Sequence, residues 1–208
     1  MTTANKKIRL GILLSGRGSN FRAIAESIRA GKLAGVEIAV VIANVADAGG
    51  IQEAAKLGLP HAVFVSKGRK RAEHDADVTA CLRQHNVDLV ILAGYMRLLS
   101  PEFIAAFPNR ILNIHPSLLP SFTGLDAQTQ AFEYGVKVAG CTVHFVDEHL
   151  DHGTIILQRT VPVEEGDDAH ALAERILVQE HIAYSEAIGR VVSGEYAIEG
   201  RRFVRRNY

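Results

Sequence analysis

The chain has 208 residues, 48% of them apolar, which suits one domain with a sizeable core that needs no disulfides. Lys+Arg and Asp+Glu balance at 23 each, which argues against a bulk electrostatic grip on nucleic acid or an anionic membrane. Cys81 and Cys141 fit no metal or disulfide spacing and read as small buried hydrophobes, a reducing, cytoplasmic setting is the default, and no apolar run approaches membrane-spanning length.

Lys6 and Lys7 precede a run, Ile8 to Leu14, that is too short for a signal peptide and lacks a cleavage pattern; it reads as a strand. It runs into Ser15-Gly16-Arg17-Gly18-Ser19-Asn20, followed by a helix over Phe21–Ala30 that Gly31 stops. Val36–Ala43 is a second, β-branched strand. A helix over Gly50–Leu57 and a short strand over His61–Val65 follow. Arg69–His85 carries His74, Val78, Cys81, Leu82 and His85 at helical spacing. Asp88–Ala93 and Ile111–Ile114 are buried strands. Asp126–Tyr134 reads as a helix ended by Gly135, and Val136–Val146 and Thr154–Val163 as paired strands around the loop Asp147–Gly153. A long helix runs from about Asp168 to Val192, opened by Asp167-Asp168, and Tyr196 to Val204 looks like a hairpin. This alternation predicts an α/β fold: a mostly parallel sheet flanked by helices, with antiparallel strands in the C-terminal half. Ligands of such sheets bind beyond the carboxyl ends of the strands, so the loops after Leu14, Ala93, His115 and Val146 are expected to share one cleft.

The glycine loop allows a tight turn, and the N–H groups at the following helix start attract an anion, with Ser19 or Asn20 as N-cap. Phe21 stands where a dinucleotide fingerprint needs its third glycine, the second strand ends at Asn44 rather than a ribose-gripping acid, and the Walker ending is absent. The loop therefore reads as a cradle for a single phosphate. More weight rests on Asn113-Ile114-His115-Pro116-Ser117-Leu118-Leu119-Pro120. Residues i and i+2 of a strand share a face, so Asn113 and His115 can reach one reacting group as donors before Pro116 ends the pairing. The acidic loop Asp147-Glu148-His149-Leu150-Asp151-His152-Gly153 offers that imidazole a carboxylate partner, which favours the imidazolium. Asp151, nearest the following Gly153 turn, is the expected partner, although composition does not separate it from Asp147 or Glu148.

Three further features carry less. Gly94 permits a close turn after a buried strand, and Met96, Leu98 and Leu99 line either an apolar slot or the core. His144 reads as a supporting strand histidine, and Arg201, Arg202, Arg205 and Arg206 as a solvated hairpin edge. His144, His149 and His152 lack an obvious metal-ligand spacing, so no metal is expected.

These blocks, with Leu92-Ala93-Gly94-Tyr95-Met96-Arg97-Leu98-Leu99-Ser100-Pro101, Val143-His144-Phe145-Val146 and Leu150-Asp151-His152-Gly153, make the chain resemble the phosphoribosylglycinamide formyltransferase family nearly end to end. The Asn-x-His-Pro-Ser-Leu-Leu-Pro block marks the wider folate formyltransferase group, and the glycine block narrows it to this family. The resemblance implies a single-domain Rossmann-like formyltransferase fold over residues 1–208, with a phosphate-binding half to about residue 100 and a catalytic and folate-binding half beyond it. It implies formyl transfer from 10-formyltetrahydrofolate to the amine of 5-phosphoribosylglycinamide in de novo purine synthesis. By the same resemblance Asn113, His115 and Asp151 are the catalytic trio, and Gly18, Ser19, Asn20 and Glu180 bind the ribonucleotide. Arg71, Met96, Arg97, Leu98, Leu99 and Asn113 bind the folate, and the 147–151 loop closes over its pterin. The implied partners are these small molecules only, without nucleic acid, membrane or metal, for a cytoplasmic monomer or homodimer. One position departs: where many relatives have Gly-Leu-His, this chain has Gly124-Leu125-Asp126.

Rival readings differ in testable ways. A formyltetrahydrofolate hydrolase is expected to carry an N-terminal regulatory domain, but the first strand begins by Ile8. A methionyl-tRNA formyltransferase needs a C-terminal RNA-binding domain, and only a helix and a hairpin follow Val163. A non-catalytic nucleotide-binding module has no use for Asn113, His115 and Asp151 together.

Overall fold

The computed structural model describes residues 6–206. The chain divides into two compact units, the boundary falling between Leu112 and Asn113. The first contains β1 (Ile8–Leu14), α1 (Ser19–Arg29), β2 (Val36–Ala43), α2 (Gly49–Lys56), β3 (His61–Val63), α3 (Arg71–Gln84), β4 (Leu89–Leu92) and α4 (Pro101–Ala106). Its strands lie in the order β3-β2-β1-β4, and every pairing among them is parallel. Leu10–Leu14 and Ala39–Ala43 are buried at every position, the pattern of strands covered on both faces. Leu14 stands opposite Ala43 and Leu13 opposite Leu92, so the loops leaving β1, β2 and β4 emerge at one edge.

β5 (Ile111–His115) carries the chain across the boundary. The second unit continues with α5 (Ala127–Tyr134), β6 (Val138–Phe145), β7 (Ile155–Pro162), α6 (Ala169–Val192), β8 (Tyr196–Glu199) and β9 (Arg202–Arg205). β6 and β7 pair antiparallel, as do β8 and β9, and β9 touches β7 in parallel at Ile155 opposite Arg202. α6 packs on β6 and β7 through Leu172, Ile176, Ala183, Tyr184, Ala187 and Ile188, all fully buried. These positions recur at the three- and four-residue spacing of one helix face. Its start is fixed by Asp168, whose carboxylate accepts from Ala171 N at 2.7 Å, a cap worth about 1 kcal/mol.

The α/β class, the parallel first half and the antiparallel C-terminal strands are as the sequence predicts. Four details differ. The N-cap of α1 is Gly18, not Ser19 or Asn20; it sits at φ 75°, and a Cβ there would come within 2.8 Å of Gly50 Cα, so the close approach of α2 demands glycine. β3 stops at Val63. The helix α4 was not foreseen, although Ser100 as N-cap, accepting from Phe103 N, and Pro101 at the first position are its ordinary sequence signature. Cys141 is buried, whereas Cys81 is only half-buried, against the expectation for both.

Candidate active site

In the first unit a hydrogen-bond relay ties the segments that follow four strands, β1 to β4, together. Ser15 Oγ donates to Asn44 Oδ1 at 2.6 Å and accepts from Met96 N at 2.8 Å, while Asn44 Nδ2 donates to Ser66 Oγ at 3.1 Å. Ser15 N also donates to Gly94 O at 3.0 Å. The glycine loop and the 94–99 segment are therefore braced against each other. Gly18, Ser19 and Asn20 form the start of α1, with Asn20 buried. Met96 and Leu98 are 70% and 53% exposed, which removes the core-packing alternative and leaves two apolar side chains facing outward. Arg97 turns back, donating to Ser66 O at 3.5 Å and Arg69 O at 3.3 Å. Behind the segment, Ser100 N donates to the buried Asp75 Oδ2 at 2.6 Å. Arg71 opens α3 with an exposed side chain, and Leu99 is half-buried.

In the second unit four side chains form a continuous polar cluster. Asn113 and His115 project from β5, two residues apart. His144, from β6, presents Nε2 to Asn113 Nδ2 at 3.3 Å and to Asp151 Oδ1 at 4.0 Å. Its Nδ1 lies 2.7 Å from Phe145 O, an acceptor only, so Nδ1 carries the proton and Nε2 accepts from Asn113. Burial lowers the pKa of His144, outweighing the opposing pull of the Phe145 carbonyl and Asp151. Asp151 Oδ2 faces His115 Nδ1 at 3.5 Å and accepts from Gly124 N at 2.8 Å. The two side chains are 6% and 7% exposed, so a charge on either needs the other as its partner. His115 Nε2 donates to Phe122 O at 2.8 Å, with Phe122 itself at φ 54°. The imidazole thus points one nitrogen at a carboxylate and the opposite N–H at an oxygen.

The geometry separates the three acids of the 147–153 loop, which composition left open. Asp151 alone turns inward. Asp147 accepts from His149 N and from His152 Nδ1, each at 2.9 Å. Burial pushes the Asp147 carboxyl up, but these hydrogen bonds prevail and hold it below the ordinary value. Gly153 closes the loop beneath Phe145; a Cβ there would lie 1.9 Å from Phe145 O. Glu180 is buried on α6, and Asp126 occupies the N-cap of α5 at φ 53° without a side-chain cap bond.

Some contributors were not foreseen. Thr142, fully buried, accepts from Leu119 N (3.0 Å) and Gln158 Nε2 (3.0 Å) and donates to Ser117 O (2.7 Å), fixing the segment after His115. Its signal was available: Thr142 and His144 alternate onto one face of β6. Asp75 gave none. The hairpin arginines are not simply a solvated edge: Arg201 reaches His152 and Arg205 pairs with Glu195 at 2.8 Å. The spacing of His144, His149 and His152 suggested no metal site; Asp147, His149 and His152 bring one ligating atom each within 4.8 Å of one another. Among the described residues no helix is long and apolar enough to cross a membrane.

Residues 8–188 match the family model described as formyl transferase. Among solved structures, glycinamide ribonucleotide transformylase 1 from Symbiobacterium toebii is 48% identical and superposes with a TM-score of 0.95, covering 100% of this chain and 98% of that one. Phosphoribosylglycinamide formyltransferase of Escherichia coli (strain K12) is 38% identical over 95% of this chain and 96% of its own length. The trifunctional purine biosynthetic protein adenosine-3 of Homo sapiens is 45% identical over 91% of this chain, which spans only 19% of that protein's length.

Proposed function

The chain belongs to the formyl transferase family, and on that premise we propose that it transfers the formyl group of 10-formyltetrahydrofolate to the amine of 5-phosphoribosylglycinamide. The products are formylglycinamide ribonucleotide and tetrahydrofolate, in de novo purine synthesis. Residues 1–208 act as one formyltransferase domain, in the cytoplasm, as a monomer or homodimer.

The observation that carries the reading is the His115 ring, with Asp151 at Nδ1 and an N–H donated from Nε2 to a carbonyl oxygen. The amine attacks the formyl carbon, and negative charge gathers on the former carbonyl oxygen. That oxygen takes the place of Phe122 O on His115 Nε2, with Asn113 Nδ2 as second donor, as in an oxyanion hole. When the intermediate collapses, the C–N bond to folate N10 breaks; the amine loses one proton and N10 gains one. His115 and Asp151 carry that proton and neutralise the charge in transit. His144, held neutral by burial, orients Asn113.

Gly18, Ser19 and Asn20 hold the ribonucleotide phosphate through N–H groups at the start of α1, as helix starts hold anions, and through the Asn20 side-chain amide, and Glu180 contacts the same substrate. Met96 and Leu98 offer the folate an apolar surface, with Arg71, Arg97, Leu99 and Asn113 beside it, and the 147–151 loop closes over the pterin. The chemistry is proton transfer and charge stabilisation by side chains, and we assign it no metal.

The test is tetrahydrofolate release by the purified protein. Product should form only when both substrates are present. Formate release without the amine would favour the hydrolase reading, and no consumption of either substrate would refute formyl chemistry. In the D151N variant turnover should fall by about 10² or more while both substrates still bind. Full turnover by D151N would remove Asp151 from the mechanism.

A further inference from the structure

The turn of the C-terminal hairpin reaches back to the loop that carries Asp151. Arg201 Nη2 donates to His152 O at 2.7 Å, and Nη1 donates to His152 Nε2 at 2.9 Å. That leaves His152 Nδ1 as the donor to Asp147 Oδ2, at 2.9 Å, and Asp147 Oδ1 in turn accepts from His149 N. One guanidinium thus holds backbone and ring of the residue next to Asp151, and the ring holds the other end of the loop. Arg201 is itself anchored: β9 meets β7 at Ile155 opposite Arg202, and Phe203 packs edge-on against Phe145 with ring centroids 5.7 Å apart.

The loop needs such an anchor. Asp151 sits at φ 49°, a left-handed conformation that a non-glycine residue keeps only when its surroundings enforce it. Leu150 is 56% exposed and contributes little burial to hold the loop down. The Asp147, His149 and His152 atoms do not read as a cation seat, because a guanidinium already occupies His152 Nε2 and places positive charge beside them.

We propose that Arg201 is a positioning residue for formyl transfer: through His152 and Asp147 it locks the 147–153 loop so that the Asp151 carboxylate stays on His115. The proposal rests on the formyl-transfer reading and adds the C-terminal hairpin to its machinery. A misplacement of about 1 Å in a catalytic group costs up to about 10²-fold in rate, which sets the scale of the effect.

Steady-state kinetics of wild type, R201A, R201K, D151N and the D151N/R201A double variant, with both substrates varied, test it. R201A should lower kcat by about 10- to 100-fold and leave KM for 5-phosphoribosylglycinamide within about twofold. R201K should recover part of the loss, since an ammonium can donate to the His152 carbonyl but lacks the two-pronged reach. In the D151N background R201A should cost less than about twofold, because the group it positions is gone. Wild-type kcat in R201A, or an undiminished loss on top of D151N, overturns the proposal, the latter by showing a merely structural role. If R201A does not fold, H152L, which keeps the carbonyl contact and removes the ring, enters the same cycle with the same criterion. Wild type that transfers no formyl group refutes the underlying reading; wild type that does, with R201A unimpaired, refutes the clamp alone.

Discussion

Replacing Thr142 by valine isolates the support beneath the segment that follows His115. Valine keeps the shape of threonine, so no cavity opens, and the change removes only the hydroxyl. Three hydrogen bonds go with it: from Leu119 N, from Gln158 Nε2 and to Ser117 O. Gln158 keeps a second acceptor in Leu119 O at 2.9 Å, and a carbonyl tolerates a missing donor better than an N–H tolerates a missing acceptor. The decisive loss is Leu119 N, on a residue only 5% exposed. An unsatisfied buried donor costs about 1–3 kcal/mol, and the lost hydroxyl bond to Ser117 about 1 kcal/mol more. Burying one extra methyl returns about 0.8 kcal/mol. The net expectation is a loss of about 2 kcal/mol, or about 4–8 °C in Tm for a chain of this size. Urea unfolding at 25 °C measures the first and a thermal scan the second. T142S, which keeps the hydroxyl, should retain the hydrogen bonds and lose only the methyl contacts. A T142V protein within about 0.5 kcal/mol of wild type would show that Leu119 N finds another acceptor, and the argument from buried polar groups would fail.

Other expectations follow from single contacts. Asn20→Ala should raise KM for the ribonucleotide and leave folate binding unchanged; equal effects on both ligands would remove Asn20 from the phosphate end. His144 should be predominantly neutral, with the proton on Nδ1, in nitrogen NMR spectra at pH 6.5, because burial sets its folded value below the ordinary 6.5. The unfolded chain then binds that proton first, so His144 costs stability as pH falls below 6.5 toward its folded value; a mostly charged His144 at pH 6.5 would reverse the sign of the argument. Burial raises the Glu186 carboxyl, but hydrogen bonds from Arg159 at 2.6 Å and Arg190 at 2.7 Å prevail and hold it below the ordinary 4.5. Its stabilising contribution is therefore complete above pH 4.5 and fades as pH drops through the folded value. The stability gap between wild type and E186Q should shrink on acidification in urea melts, and a gap that widened would reverse the sign of the argument.

The second unit shows where sequence reasoning is strong. Alternation along β5 put Asn113 and His115 on one face, and the acidic pair Asp167-Asp168 marked the start of α6 to within a residue. Both are local signals, set by the pleat of a strand and by the charge a helix start favours. Local patterns gave less at α1, whose N-cap glycine is chosen by the approach of Gly50 from α2 rather than by any capping side chain. They gave nothing for Asp75, whose carboxylate receives Ser100 N across 25 residues of sequence.

What the sequence determined by itself is the alternation of strands and helices, the position of the glycine loop, and the placement of an amide and an imidazole at a strand end. These follow from the backbone's two short periods and from the turn preferences of glycine and proline. Only tertiary structure decided which of three loop acids faces His115. Only it showed that His144 supports Asn113, and that Arg201, 50 residues beyond Asp151, holds that acid's loop. Hydrogen bonds between residues distant in sequence depend on where the chain returns, and no local pattern encodes that.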